Sequence, residues 1–123
     1  FTRAPLGVAL KIKDSDTKLF IVNLHFKSRS QGYKDPTGFE FEFLRMEMAE
    51  ATRVWAEKEE ARLGEDAVVI LLGDRNNTAG SASVDVLSGN RTLEDFRRGG
   101  SCKIDRELVP ECTKPGRVGE FVG

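Results

Sequence analysis

The sequence predicts an α/β protein in which a mixed β-sheet is flanked by helices. Two β-prone segments open the chain, a long amphipathic segment follows, and a short apolar run comes after it. A hairpin followed by a helix and another strand is typical of a mixed sheet with helices packed on it. With 123 residues, of which 39% are hydrophobic and 32% charged, the chain can bury the core of one domain.

The first two strands are predicted to form a hairpin. Leu6 to Lys13 has the sequence LGVALKIK, and Lys18 to Leu24 has the sequence KLFIVNL. Asp14 to Thr17 supplies turn-forming side chains between them. Because the second segment is apolar on both faces, it is predicted to lie inside the sheet and to be covered on both sides.

The segment from Glu40 to Leu63 is predicted to be a long amphipathic helix, with Gly64 as its stop signal. Four apolar residues recur at helical spacing and are expected to pack against the sheet, namely Leu44, Met48, Ala51 and Trp55. Glu57, Lys58 and Glu60 are expected to remain in water.

The apolar run from Ala67 to Leu72 predicts a third strand, buried on both faces. Ser83 to Leu87 is a candidate short helix, and no element is assigned after Arg97. Cys102 and Cys112 are too few and too far apart for a zinc site. They form either a disulfide, which would imply an oxidising compartment, or two free thiols.

Polar clusters follow two of the predicted buried strands. Asn23 to Ser28 closes the second strand, and Gly73 to Asn77 closes the third. Ligands bind beside the carboxyl ends of strands in open sheets, so both clusters could share one site. His25, the only histidine, is suited to proton transfer near neutral pH.

Asp74 and Asn76 offer oxygen ligands suited to Mg²⁺, aimed the same way if the chain stays extended past Gly73. Gly73 would also let the backbone approach its neighbour closely. Both the Gly-Asp-x-Asn sequence and the histidine can also be explained by a purely structural role. Gly-Asp-x-Asn often forms a simple Asx turn, and a histidine at a strand end is often a structural group.

The loop from Ser28 to Gly38 offers Arg29, Tyr33 and Lys34 to a ligand, although basic loop residues usually form a solvated face. The net charge of −1 gives no overall attraction to nucleic acid or to an anionic membrane. The sequence contains no apolar run long enough to span a bilayer.

Four motifs follow one another along the chain. Phe1 to Leu6 has the sequence Phe-Thr-Arg-Ala-Pro-Leu and leads into the first strand, and Asn23 to Ser28 has the sequence Asn-Leu-His-Phe-Lys-Ser. Arg45 lies on the helix, and Gly73-Asp74-Arg75-Asn76 follows the third strand. In this order they resemble the Arg-x-Pro-Leu, Asn-x-His-x-Lys-Ser, helix-arginine and Gly-Asp-x-Asn motifs of the endonuclease/exonuclease/phosphatase superfamily. That superfamily includes deoxyribonucleases, abasic-site endonucleases, sphingomyelinases and inositol phosphatases.

The resemblance implies part of a four-layer α/β sandwich with two mixed β-sheets flanked by helices. It makes His25 the group that stabilises or protonates the leaving oxygen, and Asp74 the group that orients or deprotonates the attacking water. Asn76 would hold that aspartate and a phosphate oxygen, and Asp74 and Asn76 would take part in binding Mg²⁺, or Mn²⁺ or Ca²⁺ in its place. Asn23, Lys27, Ser28 and Arg75 would contact the substrate, although Arg75 stands where the family often has an aromatic residue.

The family's metal-binding glutamate would precede Phe1, and its final aspartate and histidine would follow Gly123. We therefore expect residues 1–123 to be an internal portion of one domain, inactive alone. The expected activity of the parent is Mg²⁺-dependent hydrolysis of nucleic-acid phosphodiesters, because this version of the motifs resembles that of secreted bacterial nucleases. Inositol phosphates and sphingomyelin-type lipids are alternative substrates, and a non-catalytic binding module with the same fold is the alternative function.

Overall fold

The structure is a computed structural model that describes residues 3–29 and 35–118. Its elements in chain order are β1 (Leu6–Lys11), β2 (Lys18–His25), α1 (Phe39–Leu63), β3 (Ala67–Asp74), α2 (Ala82–Ser88), a 3₁₀ helix (Leu93–Phe96), β4 (Cys102–Ile104) and β5 (Pro110–Cys112). The described part of the chain is thus a mixed α/β structure with two α-helices, one three-stranded sheet and one two-stranded sheet. Within the described ranges, no helix has the length and apolar character needed to cross a membrane.

The three-stranded sheet has the order β1-β2-β3, so β2 is central as expected. β1 pairs antiparallel with β2, and β2 pairs parallel with β3, which makes the sheet mixed. The predicted hairpin is confirmed, with a first strand that ends at Lys11 and not at Lys13. Its turn is closed by a hydrogen bond from Ile12 N to Thr17 O, and Asp14 adopts a positive φ of 59° there.

The two faces of this sheet differ in burial. On one face, Phe20, Val22 and Leu24 of β2 are at most 3% exposed. The Trp55 ring of α1 packs edge-on against the Phe20 ring on this face, with centroids 5.3 Å apart. Gly7 of β1 makes this packing possible, because a Cβ atom there would lie 2.6 Å from the Trp55 ring.

The other face, which we call the open face, is apolar and in contact with solvent. Seven of its side chains are 40% to 65% exposed, namely Leu6, Val8, Leu10, Ile12, Val68, Ile70 and Leu72. The expectation that β2 and β3 are covered on both sides is therefore wrong for the described residues, where α1 packs on one face only. The apolar runs in both strands nevertheless match a sheet built for cover on both faces.

Helix α1 packs against α2 as well as the sheet, which changes its buried face. Met48 is buried and Trp55 half-buried, as expected, but Leu44 and Ala51 are exposed. The buried residues are Glu42, Arg45, Met46, Met48, Ala49, Thr52, Arg53 and Ala56. Of the residues expected in water, Lys58 is exposed, whereas Glu57 and Glu60 are half-buried. The spacing of apolar residues could not predict this buried face, because three of the buried residues, Glu42, Arg45 and Arg53, are charged.

Asp35 organises the start of α1. Its carboxylate accepts hydrogen bonds from Gly38 N at 3.0 Å and Phe41 N at 2.7 Å, which satisfies donors that an α-helix leaves unpaired at its first turn. Burial raises the pKa of Asp35, but these N–H donors, that of Glu40 and the Thr37 hydroxyl outweigh burial and hold the pKa below its ordinary value.

The main core lies between the covered sheet face, α1 and the C-terminal third of the chain. Leu24 and Phe26 contribute from β2 and its following loop, Met46 from α1, and Val86 from α2. The short helix α2 confirms the Ser83 to Leu87 prediction. A disulfide joins Cys102 to Cys112 across the β4-β5 pair, which decides between the two alternatives left open for these cysteines.

Candidate functional site

His25 and Asp74 end two adjacent parallel strands. They are direct partners across the β2-β3 ladder, so their side chains project from the same face of the sheet, and both are exposed. Asn76 is attached to the same place, because its side-chain Nδ2 donates to Phe26 O at 2.7 Å. The expectation that His25, Asp74 and Asn76 converge at one end of the sheet is therefore confirmed.

Gly73 allows β3 to approach β2 at this end. Its φ is +116°, a conformation that residues with a side chain rarely adopt. A Cβ atom at this position would lie 2.1 Å from Leu24 O and 2.7 Å from Asn23 Oδ1. The close backbone approach expected for Gly73 is thus present, and it is what sets Asp74 beside His25.

The chain turns immediately after Asp74. The Asp74 carboxylate accepts a hydrogen bond from Asn76 N at 2.8 Å, and Asn76 has a positive φ of 50°. The chain does not stay extended past Gly73, so the common direction expected for the Asp74 carboxylate and the Asn76 amide is not what forms. An Asx turn takes its place, because the short carboxylate captures the N–H group two residues later. Asn76 therefore holds Asp74 through its main chain and uses its side-chain NH₂ on Phe26 O.

His25 has a cationic neighbour. Arg3 Nη1 lies 2.5 Å from His25 Nδ1 and 3.2 Å from Nε2. Because a guanidinium group only donates hydrogen bonds, the ring nitrogen that accepts from Arg3 carries no proton, and both ring nitrogens lie within hydrogen-bond distance of Nη1. In the neutral ring the other nitrogen carries the N–H group, and the tautomer decides which nitrogen that is.

The residues expected to contact the substrate differ in how accessible they are around His25 and Asp74. Asn23 is exposed on the open face two residues before His25, and Arg75 is half-buried in the turn. Lys27 is already engaged, because its Nζ lies 4.5 Å from the centroid of the Phe41 ring. Ser28 and Arg29 are exposed. Phe1, Thr2, Tyr33 and Lys34, which belong to the first motif and the loop, lie outside the described residues.

Glu42 and Asn77, which are bonded to each other behind the strand ends, were not proposed as site residues from the sequence. Glu42 is fully buried on α1, and Asn77 Nδ2 donates to both of its carboxylate oxygens, at 2.9 and 2.8 Å. Arg45, identified only through the resemblance, pairs with Glu42 at 2.9 Å. The i, i+3 spacing of Glu42 and Arg45 was the available signal, but on a helix it usually marks an exposed ion pair.

The donor groups at this end of the sheet fit a metal ion only in part. Among the described residues, no group of three His, Cys, Asp or Glu side chains is placed to hold one. The exposed Asp74 carboxylate suits Mg²⁺ bound through one carboxylate, water and substrate phosphate. This carboxylate would thus supply one side of such a site.

Comparison with known proteins adds no relative: no protein-family model, curated protein or solved structure matches the chain.

Proposed function

We propose that residues 1–123 are an internal portion of a Mg²⁺-dependent phosphoesterase domain of the endonuclease/exonuclease/phosphatase type, and that the whole domain hydrolyses nucleic-acid phosphodiesters. The observation that carries this proposal is the pairing of His25 with Asp74 at the carboxyl ends of adjacent parallel strands. A proton-transfer group and a carboxylate side by side in a solvent-accessible place are what hydrolysis of a phosphoester needs.

In this proposal the two side chains act on opposite sides of the phosphorus. Asp74 orients the attacking water or takes a proton from it, and it is fixed for that role by the hydrogen bond from Asn76 N. His25 donates a proton or a hydrogen bond to the departing oxygen. In the neutral ring, the nitrogen that does not accept from Arg3 carries the proton and is the donor in this step.

The remaining groups bind the substrate. Arg75 and Arg3 bring positive charge to the strand ends and would attract the phosphate, and Asn23 and Ser28 would supply hydrogen bonds. A metal ion bound at Asp74 and Asn76 would neutralise charge on the phosphoryl oxygens. Asn76 would contribute through its amide oxygen, since its NH₂ group is bonded to Phe26 O.

The open face supports the larger architecture, a sandwich of two sheets with helices outside. Seven apolar side chains on this sheet face are at least 40% exposed and form one continuous patch, whereas the exposed apolar residues of an ordinary protein surface are scattered singly. A second sheet supplied by the rest of the domain would bury it and would cover β2 and β3 on both sides, as their apolar sequences predict.

The architecture can be tested at Ile70, in the middle of the open face. In the full-length protein, Ile70→Asp should lower the free energy of unfolding by about 3 kcal/mol or more, because it would bury an unpaired charge between two sheets. Val54→Asp, on α1 at nearly the same exposure, is the matched control and should cost less than about 1 kcal/mol. Equal, small effects at both positions would refute the two-sheet architecture.

The activity is tested by cleavage of supercoiled plasmid DNA and of bis(p-nitrophenyl) phosphate by the full-length protein, with and without Mg²⁺. Asp74→Ala should abolish turnover, and His25→Ala should reduce kcat by about 10²- to 10⁴-fold. Asp66→Ala removes an exposed carboxylate just before the opposite end of β3 and should leave kcat unchanged.

Substrate panels distinguish the alternatives. Release of phosphate from inositol phosphates, or hydrolysis of sphingomyelin vesicles, without DNA cleavage would replace the nuclease assignment with a phosphatase or phospholipase. Substrate binding without turnover of any of these compounds would favour the binding module. Near-normal activity of Asp74→Ala would contradict the role given to the Gly-Asp-x-Asn motif.

A further inference from the structure

A fully buried ion pair lies behind the candidate site. Glu42 and Arg45 are both 0% exposed, and Arg45 Nε donates to Glu42 Oε1 at 2.9 Å. Burying two charges costs desolvation energy that their attraction often only offsets, so apolar residues of similar volume would stabilise this place as well or better. The pair therefore calls for an explanation other than core stability.

Both members of the pair make further hydrogen bonds, and these lead to the two loops of the candidate site. Arg45 Nη1 donates to Lys27 O at 3.1 Å and to Ser28 O at 3.0 Å, two and three residues after His25. Glu42 accepts from Asn77 Nδ2 at both carboxylate oxygens, three residues after Asp74. Arg45 thus holds the segment that follows β2, and Glu42 holds the segment that follows β3.

Charge makes this connection stiff. A carboxylate that accepts two short bonds from one amide and one from a guanidinium group has little freedom to rotate, and charge-assisted bonds are stronger than neutral ones. Ser83 N at 3.3 Å adds the start of α2 to the same carboxylate. No buried side-chain nitrogen or oxygen in the described part of the chain lacks a hydrogen-bond partner, so this network is complete.

We propose that Glu42, Arg45 and Asn77 are positioning residues that fix the separation of His25 and Asp74. This inference rests on the phosphoesterase function proposed above and extends it to groups that touch neither substrate nor metal. Strand pairing, the Phe26 N to Asp74 O bond and the Asn76 Nδ2 to Phe26 O bond set His25 beside Asp74 at the last rung of the ladder, where a sheet frays most easily. The buried pair fastens both loops just beyond that rung.

The decisive variant is Asn77→Ala in the full-length protein, because it removes the bonds between the β3 loop and Glu42 and leaves the buried ion pair intact. We expect kcat for bis(p-nitrophenyl) phosphate to fall about 10- to 100-fold, since small misplacements of reacting groups have effects of this size. KM should stay within about twofold, because the variant removes no proposed substrate contact. Asn90→Ala, another half-buried loop asparagine, is the matched control and should leave kcat unchanged.

A second variant separates positioning from stability. Glu42→Met together with Arg45→Met removes both charges at similar volume and leaves no unpaired buried charge, so we expect a folded protein with the same loss of kcat. Its melting temperature should fall only by the loss of the hydrogen bonds to Lys27 O, Ser28 O and Asn77 Nδ2. If this double variant does not fold, Asn77→Ala decides alone. Wild-type kcat in Asn77→Ala, or a loss no larger than its unfolded fraction, would overturn the positioning role.

The two proposals fail in different ways. A wild-type protein that hydrolyses none of the phosphoesters tested refutes the proposed function, and the positioning role with it. A wild-type protein that is active, and whose Asp74→Ala variant is inactive while Asn77→Ala is not impaired, refutes only the positioning role.

Discussion

Gly73→Ala is the substitution whose consequence follows most directly from the backbone of the site. The added Cβ atom would lie 2.1 Å from Leu24 O, whereas real Cβ contacts essentially never fall below 3.0 Å. The two strands would therefore have to separate by about 1 Å at their carboxyl ends, in a sheet that is otherwise tightly packed. The φ of +116° adds conformational strain of about 1–3 kcal/mol for a residue with a side chain.

The expected cost combines this strain with the loss of one or two ladder hydrogen bonds, each worth about 1 kcal/mol. We expect Gly73→Ala to lower the free energy of unfolding by about 2–5 kcal/mol, measured by urea denaturation. Gly80→Ala is a matched control, because Gly80 also has a positive φ, of +85°, but has no atom within 4 Å of the added Cβ. It should cost only about 1–2 kcal/mol.

The difference between the two alanine variants isolates the close approach of β3 to β2. Because that approach also sets Asp74 beside His25, Gly73→Ala should impair phosphoester hydrolysis even at temperatures where it remains folded. Equal destabilisation by Gly73→Ala and Gly80→Ala would refute the reasoning, since it would mean that the strands do not approach as closely as described.

Three further predictions concern stability. Met48→Asp should lower the free energy of unfolding by about 4 kcal/mol and Leu44→Asp by less than about 1 kcal/mol, because only Met48 is buried; denaturation curves that rank them the other way would contradict the observed helix face. Reducing the Cys102–Cys112 bridge, which closes a loop with a sequence separation of 10, should cost about 2.7 kcal/mol by the loop-entropy estimate, and a melting temperature insensitive to dithiothreitol would disprove it. Asp35 stabilises the fold as a carboxylate because its pKa is lowered, so its contribution is present above its unfolded pKa and is lost as the pH falls below about 4. Asp35→Asn should therefore be less stable than the unchanged protein at pH 7, and the gap should narrow in melts at successively lower pH below about 4.

The strands of the site could be predicted from the sequence because their signal is local. The apolar runs that end at Leu24 and Leu72 specify strands, and the helix between them makes a parallel pairing the natural one. Parallel neighbours bring their carboxyl ends to the same edge, so the meeting of His25 with Asp74 follows from topology alone. No information about loop conformation is needed for that step.

The turn after Asp74 could not be predicted in the same way. An extended segment and an Asx turn both suit the sequence Gly-Asp-Arg-Asn, and the choice depends on backbone angles at Gly73 and Asn76 that periodicity does not encode. The prediction of the buried face of α1 was wrong for a related reason. Apolar spacing identifies a helix that packs on one surface, whereas α1 also packs on α2, where the charged Arg53 donates a hydrogen bond to Val86 O.

The failure of apolar spacing at Glu42 and Arg45 is itself informative. A sequence selected only for a stable core would place apolar residues at two fully buried positions, because an ion pair there gains little or nothing in stability. Departures of this kind, where a local rule is broken and no stability is gained, are expected at functional sites. Here the departure lies between the two loops that follow His25 and Asp74, and each charge is bonded to one of them. The buried pair Glu42–Arg45 and the exposed pair His25–Asp74 therefore belong to one arrangement. On the proposed function, the buried charges are present because they fix the positions of the two groups that face solvent.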